Sequence, residues 1–196
     1  MRFFHAVLIL GLGALVTGCA TAPRKAEVAE EQSPHELVEE RAQAARDAKG
    51  FVAIGQASSL AMPAAQDRAL RRAREELADK ASARVEALQS AYLRNAEIAD
   101  PAPVEAWFAG VTRYLQDLIV GGARPVVEKH QTDEGLSTVW VMVVEDPGAI
   151  VQALEIRGAG NRQLFELIRA SQAYRELLAE AEAFSTYRVS LERAGK

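Results

Sequence analysis

Cys19 is the one thiol in this chain of 196 residues, and it follows Val16-Thr17-Gly18 at the end of an apolar run from Ala6 to Val16. One cysteine allows no internal disulfide, so its chemistry is that of a lone sulfur open to covalent modification. Histidines are as sparse: His5 precedes Cys19, His35 falls in a polar segment, and His130 ends a predicted strand. A Ser-His-Asp arrangement would rest on His130, which has no G-x-S-x-G elbow to accompany it. A zinc site lacks ligands. The acidic pairs are Glu39-Glu40, Glu75-Glu76, Asp133-Glu134 and Glu145-Asp146. On helix faces, in a turn and at a strand end, they are expected to be solvated rather than held in a cleft with a raised pKa. Gly158-Ala159-Gly160-Asn161 has no third glycine and no strand before it, so it reads as a joint with a helix cap, not a phosphate cradle. Arg68, Arg71, Arg72 and Arg74 form the densest basic cluster. Arg71 and Arg72 are candidate contacts for phosphates, glycan carboxylates or acidic lipid, although Glu75, Glu76 and Asp79 make this a salt-laced helix face. No enzyme activity, metal or cofactor is expected from this set.

The four residues ending at Cys19 resemble the bacterial lipobox: a branched aliphatic, two small residues, then cysteine. Met1-Arg2 supplies a positive start, and the apolar run has the ~7–15 residues of a secretory signal, short of the ~20 that span a membrane. The resemblance implies cleavage between Gly18 and Cys19, acylation of the sulfur and then of the new amine, and no other cofactor than this covalent lipid. Residues 1–18 are then a signal peptide, and Ala20, standing where aspartate would resemble an inner-membrane retention signal, implies export to the outer membrane. Loss of Arg2 leaves 22 basic against 27 acidic residues, a net charge of −5. Such a chain gives no reason to expect nucleic acid and no electrostatic help at an anionic membrane, so acyl chains must anchor it, at about 0.8 kcal/mol per buried methylene. No second stretch approaches spanning length, and a soluble body is expected.

Composition and periodicity place the remaining elements. Residues 19–49 read as a lipidated tether that carries one weak helix opened by the capping box Ser33-Pro34-His35-Glu36. At ~3.3–3.6 Å per residue, its ~30 residues would reach up to ~100 Å. Residues 50–146 read as the folded domain. Phe51 to Ser59 is a strand with small residues for close backbone approach. From Met62 to about Ala96, Ala69, Ala73, Leu77, Ala81, Val85, Leu88 and Tyr92 form one helical stripe. A second helix, from Val104 to Ile119, carries Trp107-Phe108; adjacent aromatics diverge by ~100°, so one of them is exposed or meets another element. Val126 to Gln131 and Ser137 to Glu145 form a hairpin whose second strand, apolar on both faces, is central or covered on each side. Residues 147–196 read as a helical extension. After the Gly158-Ala159-Gly160 joint, one amphipathic helix is expected from Asn161 to Tyr187. Its seam of Leu167, Ala170, Tyr174, Leu177, Ala181 and Phe184 fits either packing on its own domain or association. Trp107, Leu167, Tyr174, Leu177 and Phe184 are therefore candidate interaction residues.

The strand F-V-A-I-G-Q-A-S, the helix segment Ala65, Ala69 and Ala73-Arg74-Glu75-Glu76-Leu77-Ala78, and the closing V-W-V-M-V-V-E-D carry a wider likeness. Over Phe51 to Asp146 the chain resembles the twenty-kilodalton bacterial outer-membrane lipoprotein family, which includes FlgP and relatives of the FlgT N-terminal domain. The resemblance implies an α+β, SHS2-like domain of strand-helix-helix-strand-strand order, with helices on one face of an antiparallel sheet. It implies a non-enzymatic structural or assembly role at the periplasmic face of the outer membrane, in some relatives around the flagellar motor. It brings no catalytic residues. Expected partners are the membrane, through the lipid, and a second copy or other envelope proteins, with no small-molecule substrate. The alternative expectation is a periplasmic module that binds peptidoglycan or regulates a cell-wall synthase through the basic face of the long helix.

Overall fold

The computed structural model describes residues 32–96 and 98–194. Along the chain run α1 (Pro34–Asp47), β1 (Phe51–Ser59), α2 (Met62–Asn95), α3 (Ala102–Gly122), β2 (Pro125–Asp133), β3 (Leu136–Glu145), α4 (Gly148–Gly158), α5 (Arg162–Ala170) and α6 (Gln172–Ala194). The strands form one antiparallel sheet in the order β1-β3-β2, so the architecture is α+β. β3 is central, and its two apolar faces are both covered. Val139, Val141 and Val143 face α2, while Trp140 and Met142 face α1. Strand alternation with a period of two explains why a continuous apolar run serves two layers.

The α2 side is built from small residues. Ala53 and Ala57 of β1 meet Ala65, Ala69 and Ala73 of α2 in one cluster, and Gly55 lies between them in the strand. A Cβ on Gly55 would overlap the Ala69 carbonyl oxygen and come within 2.7 Å of the Ala73 amide nitrogen. Helix and strand therefore approach backbone to backbone. At 1.5 Å per residue the 34 residues of α2 extend about 50 Å, well past the roughly 30 Å of β1. Its first half lies on the sheet. Its second half, through Val85, Leu88 and Tyr92, enters a helical core with Phe108, Leu115, Leu154, Ile168 and Leu177. The whole stripe expected from Ala69 to Tyr92 is buried.

α1 differs from its expected role as a spacer. Val38, Ala42 and Ala45 are fully buried against Val52, Trp140 and Met142, on the sheet face opposite α2. Three small apolar residues suffice because the sheet provides the bulk and alanine permits close approach. A Schellman turn carries α1 into β1: Gly50 N donates to Ala45 O at 2.9 Å, Lys49 N to Arg46 O at 2.8 Å, and Lys49 takes the left-handed φ of 72°. The sheet thus has helices on both faces, where the resemblance implied one.

The single C-terminal helix expected from Asn161 to Tyr187 is two helices. Ser171 is extended, with ψ of 153°, and its Oγ accepts the Tyr174 amide at 3.2 Å. Serine in that position competes with the helix ladder and caps the next segment. α6 then docks on the rest of the fold. Arg84 of α2 holds Glu180 through two hydrogen bonds, at 3.2 and 2.9 Å, and Phe184 packs on Gly50 so closely that a Cβ there would strike its ring. Packing does not stop at 49/50 or at 146/147, since α1 and α4–α6 share the cores of the central elements.

Candidate functional site

Gly18 and Cys19 lie outside the described residues. The expected capping box is formed: Glu36 N donates to Ser33 Oγ at 3.3 Å and Ser33 N to Glu36 Oε2 at 2.8 Å. The backbone hydrogen bond from Ser33 holds the Glu36 carboxyl below its usual range. α1, expected within the tether, is docked on the sheet and begins 15 residues after Cys19 in the chain.

The basic cluster on α2 acts on backbone carbonyls. Arg72 donates to Gln56 O at 2.6 Å and Lys80 to Val52 O at 2.7 Å. Both carbonyls belong to β1, an edge strand. Eight helical residues rise about 12 Å and four strand residues about 13 Å, so the two latches fall in step along the edge. Side chains that occupy an open edge protect it from pairing with another chain. Arg68 turns back to Ala64 O at 3.0 Å, and Arg74 reaches Ala123 O, at the end of α3, at 2.8 Å. Arg71 is exposed, and its side chain makes no hydrogen bond among the described residues. Arg72→Glu is expected to lower stability by about 1 kcal/mol or more and to promote aggregation, whereas Arg71→Glu stays within about 0.5 kcal/mol of the parent. Paired thermal melts and gel filtration check this, and partner binding through this face is read from Arg71.

The aromatic and seam candidates are mostly internal. Trp107 and Phe108 pack edge-to-face at 5.1 Å, and both are buried because α3 lies between α2 and α4. Trp107 Nε1 donates to Arg157 O at 3.3 Å. Tyr174, Leu177 and Phe184 fill their own protein's interior, so the break at Ser171 divides the expected seam. Leu167 is the exception, at 56 % exposure.

Leu167 lines a cavity of about 780 Å³ between the end of α2, the start of α3, α5 and the start of α6. Its lining among the described residues carries no charged side chain. The exposed carboxamides Asn95, Asn161, Gln163 and Gln172 stand at the mouth, while buried Val104 and Tyr92 form the floor. Asn161 Oδ1 accepts the Leu164 amide at 3.2 Å, and Gln172 Nε2 donates to Glu176 at 2.9 Å. Asn95 and Gln163 make no side-chain hydrogen bond among the described residues, nor does the Tyr92 hydroxyl, whose pKa burial pushes up. Sequence reasoning missed this group. Asn161 is legible as a cap, but the other three fall at helix ends far apart in the chain.

Two further groups depart from the expected solvation. Glu145 is partly buried, and desolvation pushes its pKa up; its Oε1 accepts the Asp146 amide at 3.2 Å. Asp146 receives the Gly148 amide at 2.7 Å and Arg188 at 3.2 Å, a structural use that joins β3, α4 and α6. His130 is exposed on edge strand β2, and His35 sits 6.2 Å from the Trp140 ring. Among the described residues no group of three histidine or acidic side chains is placed to hold a metal, and no helix is long and apolar enough to cross a membrane.

No protein-family model matches this chain, and no curated protein or solved structure is significantly similar to it.

Proposed function

We propose that this protein is a non-enzymatic lipoprotein, anchored through acylated Cys19 at the periplasmic face of the outer membrane, where it serves in assembly of envelope structures. The observation that carries this reading is the contiguous tetrad Val16-Thr17-Gly18-Cys19, placed about 14 residues ahead of a capped, folded unit. A lipid there confines the domain to within ~50 Å of the leaflet and raises its effective concentration for whatever it assembles with. The order β1-α2-α3-β2-β3 supports the finer description as an SHS2-like domain, and with it the likeness to the twenty-kilodalton lipoproteins, some of which surround flagellar motors.

Geometry within the domain supports the anchored reading. α1 runs back along β1 from the turn at Gly50, and His35 beside Trp140 marks its start over the half of the sheet that ends at Ser59. The chain therefore enters the domain toward the end where Leu60 and Leu136, both exposed, follow and precede the paired Ser59 and Ser137. With Tyr174, Leu177 and Phe184 internal, association falls to surfaces other than the expected seam.

Cys19→Ser is the test. The variant is expected to leave the membrane fraction, to lose incorporation of labelled palmitate, and to keep the circular dichroism spectrum of the parent. Retention of the variant in the membrane fraction, or an unlabelled parent, overturns the proposal.

A further inference from the structure

We propose that the end of the sheet carrying Leu60 and Leu136 dips into the surface of a zwitterionic lipid bilayer. Leu60 is the most exposed large apolar side chain among the described residues, at 82 %, and Leu136 is 45 % exposed. Ser59 pairs with Ser137, so the two leucines stand at the next step of the same register, on neighbouring loops. Leu60 also opens the run Leu60-Ala61-Met62-Pro63-Ala64-Ala65, which holds no charged, hydroxyl or amide side chain. Of these residues only Ala65 is buried.

The corner between β1 and α2 holds this run outward. Ser59 Oγ accepts the Ala61 amide at 3.3 Å, and Ala61 O accepts the Ala64 and Ala65 amides at 3.0 and 3.2 Å. α2 thus starts on an alanine, with no side-chain cap and no acidic residue in its first turn. A helix start in water favours serine, threonine, aspartate or asparagine at that position. Behind the leucines lies a layer of hydroxyls: Ser58 meets Thr138 at 2.8 Å, and Thr132 meets Ser137 at 3.2 Å. An apolar tip backed by hydroxyls suits the boundary where acyl chains give way to headgroups.

Charge and the path of the chain identify what covers the tip. The charged residues nearest in sequence are Asp133 and Glu134, before Leu136, and Asp67 and Arg68, after the apolar run. Three carboxylates against one guanidinium disfavour an anionic surface, which leaves apolar contact with zwitterionic lipid. His35 lies beside Trp140, whose partner Gln56 is three residues short of Ser59. The chain ahead of α1 therefore joins the domain about 10 Å along the strand from the tip. A lipid on Cys19 holds this end toward the leaflet, so the proposal rests on that acylation. Two leucines bind a bilayer weakly on their own, but an anchor in the same chain makes their contact intramolecular.

The experiment uses the acylated full-length chain in vesicles of phosphatidylcholine and phosphatidylethanolamine, with brominated acyl chains as quencher. Leu60→Trp and, separately, Leu136→Trp report on the tip. Leu167→Trp, 56 % exposed and beside the Asn95 end of α2, is the control. Trp107 and Trp140 are buried and give the parent background. At a depth of about 5–10 Å, both tip reporters should emit to the blue and lose about half of their added emission to bromine, and the control none. Phosphatidylglycerol added to the vesicles should not increase the quenching. Flotation separates this contact from the anchor. A parent that does not float removes both, whereas floated protein without quenching at either tip position overturns the contact alone. Equal quenching of tip and control also overturns it. So does blue-shifted emission that bromine leaves unchanged, which assigns the tip to a protein surface, or a requirement for phosphatidylglycerol, which assigns it to anionic lipid.

Discussion

Gly55→Ala is expected to destabilise the protein by about 3 kcal/mol or more, a fall of roughly 6–12 °C in melting temperature for a chain of this size. Overpacking is usually absorbed by rotation of a neighbouring side chain, but here the obstacles are the Ala69 carbonyl and the Ala73 amide. Neither can move without shifting α2 off the sheet. Displacement would also loosen the β1 edge latches, because Arg72 and Lys80 ride on the same helix. Gly121→Ala is the control. Nothing lies within 4 Å of a Cβ at Gly121, near the end of α3, so alanine there should be neutral or stabilising by up to about 1 kcal/mol. Thermal denaturation of the pair measures close approach directly. Equal melting temperatures would mean that α2 and β1 do not approach backbone to backbone at Gly55.

Val38→Asp is expected to undock α1. Val38 is wholly buried between α1 and the sheet, among Ala42, Ala45, Val52, Trp140 and Met142. An unpaired carboxylate in such a site costs several kcal/mol, more than a short three-contact helix can offset, so the helix should release before the carboxylate is buried. Release uncovers Trp140, Met142 and Val52. The measurements are a red shift of tryptophan emission, gain of binding by a hydrophobic dye, and a smaller loss of global stability than that of Gly55→Ala. Leu37→Asp, one residue away at a partly exposed position, should change little. A spacer helix would give no response to either substitution.

Much of the fold is legible in short stretches of sequence. The Ala69-to-Tyr92 stripe, the Ser33 capping box and the apolar β3 run each depend on residues within a few turns or one strand. Their local geometry fixes periodicity of 3.6 or 2, whatever surrounds them. Ser171 shows the limit of that reading: apolar spacing continues across it, yet a hydroxyl able to cap breaks the helix. The role of α1 was harder to read because amphipathicity is judged against an average surface. Against a sheet that supplies Trp140 and Met142, Val38 with two alanines is enough.

Electrostatic roles divide in the same way. Sequence places Arg71 and Arg72 side by side on α2, and nothing local separates them. Only the position of β1 beside the helix turns Arg72 into a clamp on the strand edge and leaves Arg71 in solvent. Asn95, Asn161, Gln163 and Gln172 are likewise ordinary helix-end residues until three loops bring them around one cavity.

By itself, then, sequence determined the order and type of the elements up to α4, the covering of β3 on both faces, and the expectation of a lipid on Cys19. All of these rest on contiguous residues, the four ending at Cys19 as much as any helix. Tertiary structure alone decided that α1 is a layer of the core, that Tyr174, Leu177 and Phe184 face inward, and that Asn95, Asn161, Gln163 and Gln172 line one cavity. The physical reason is that burial and hydrogen bonding between distant segments depend on which surfaces meet, and the pattern along any one segment is compatible with several partners.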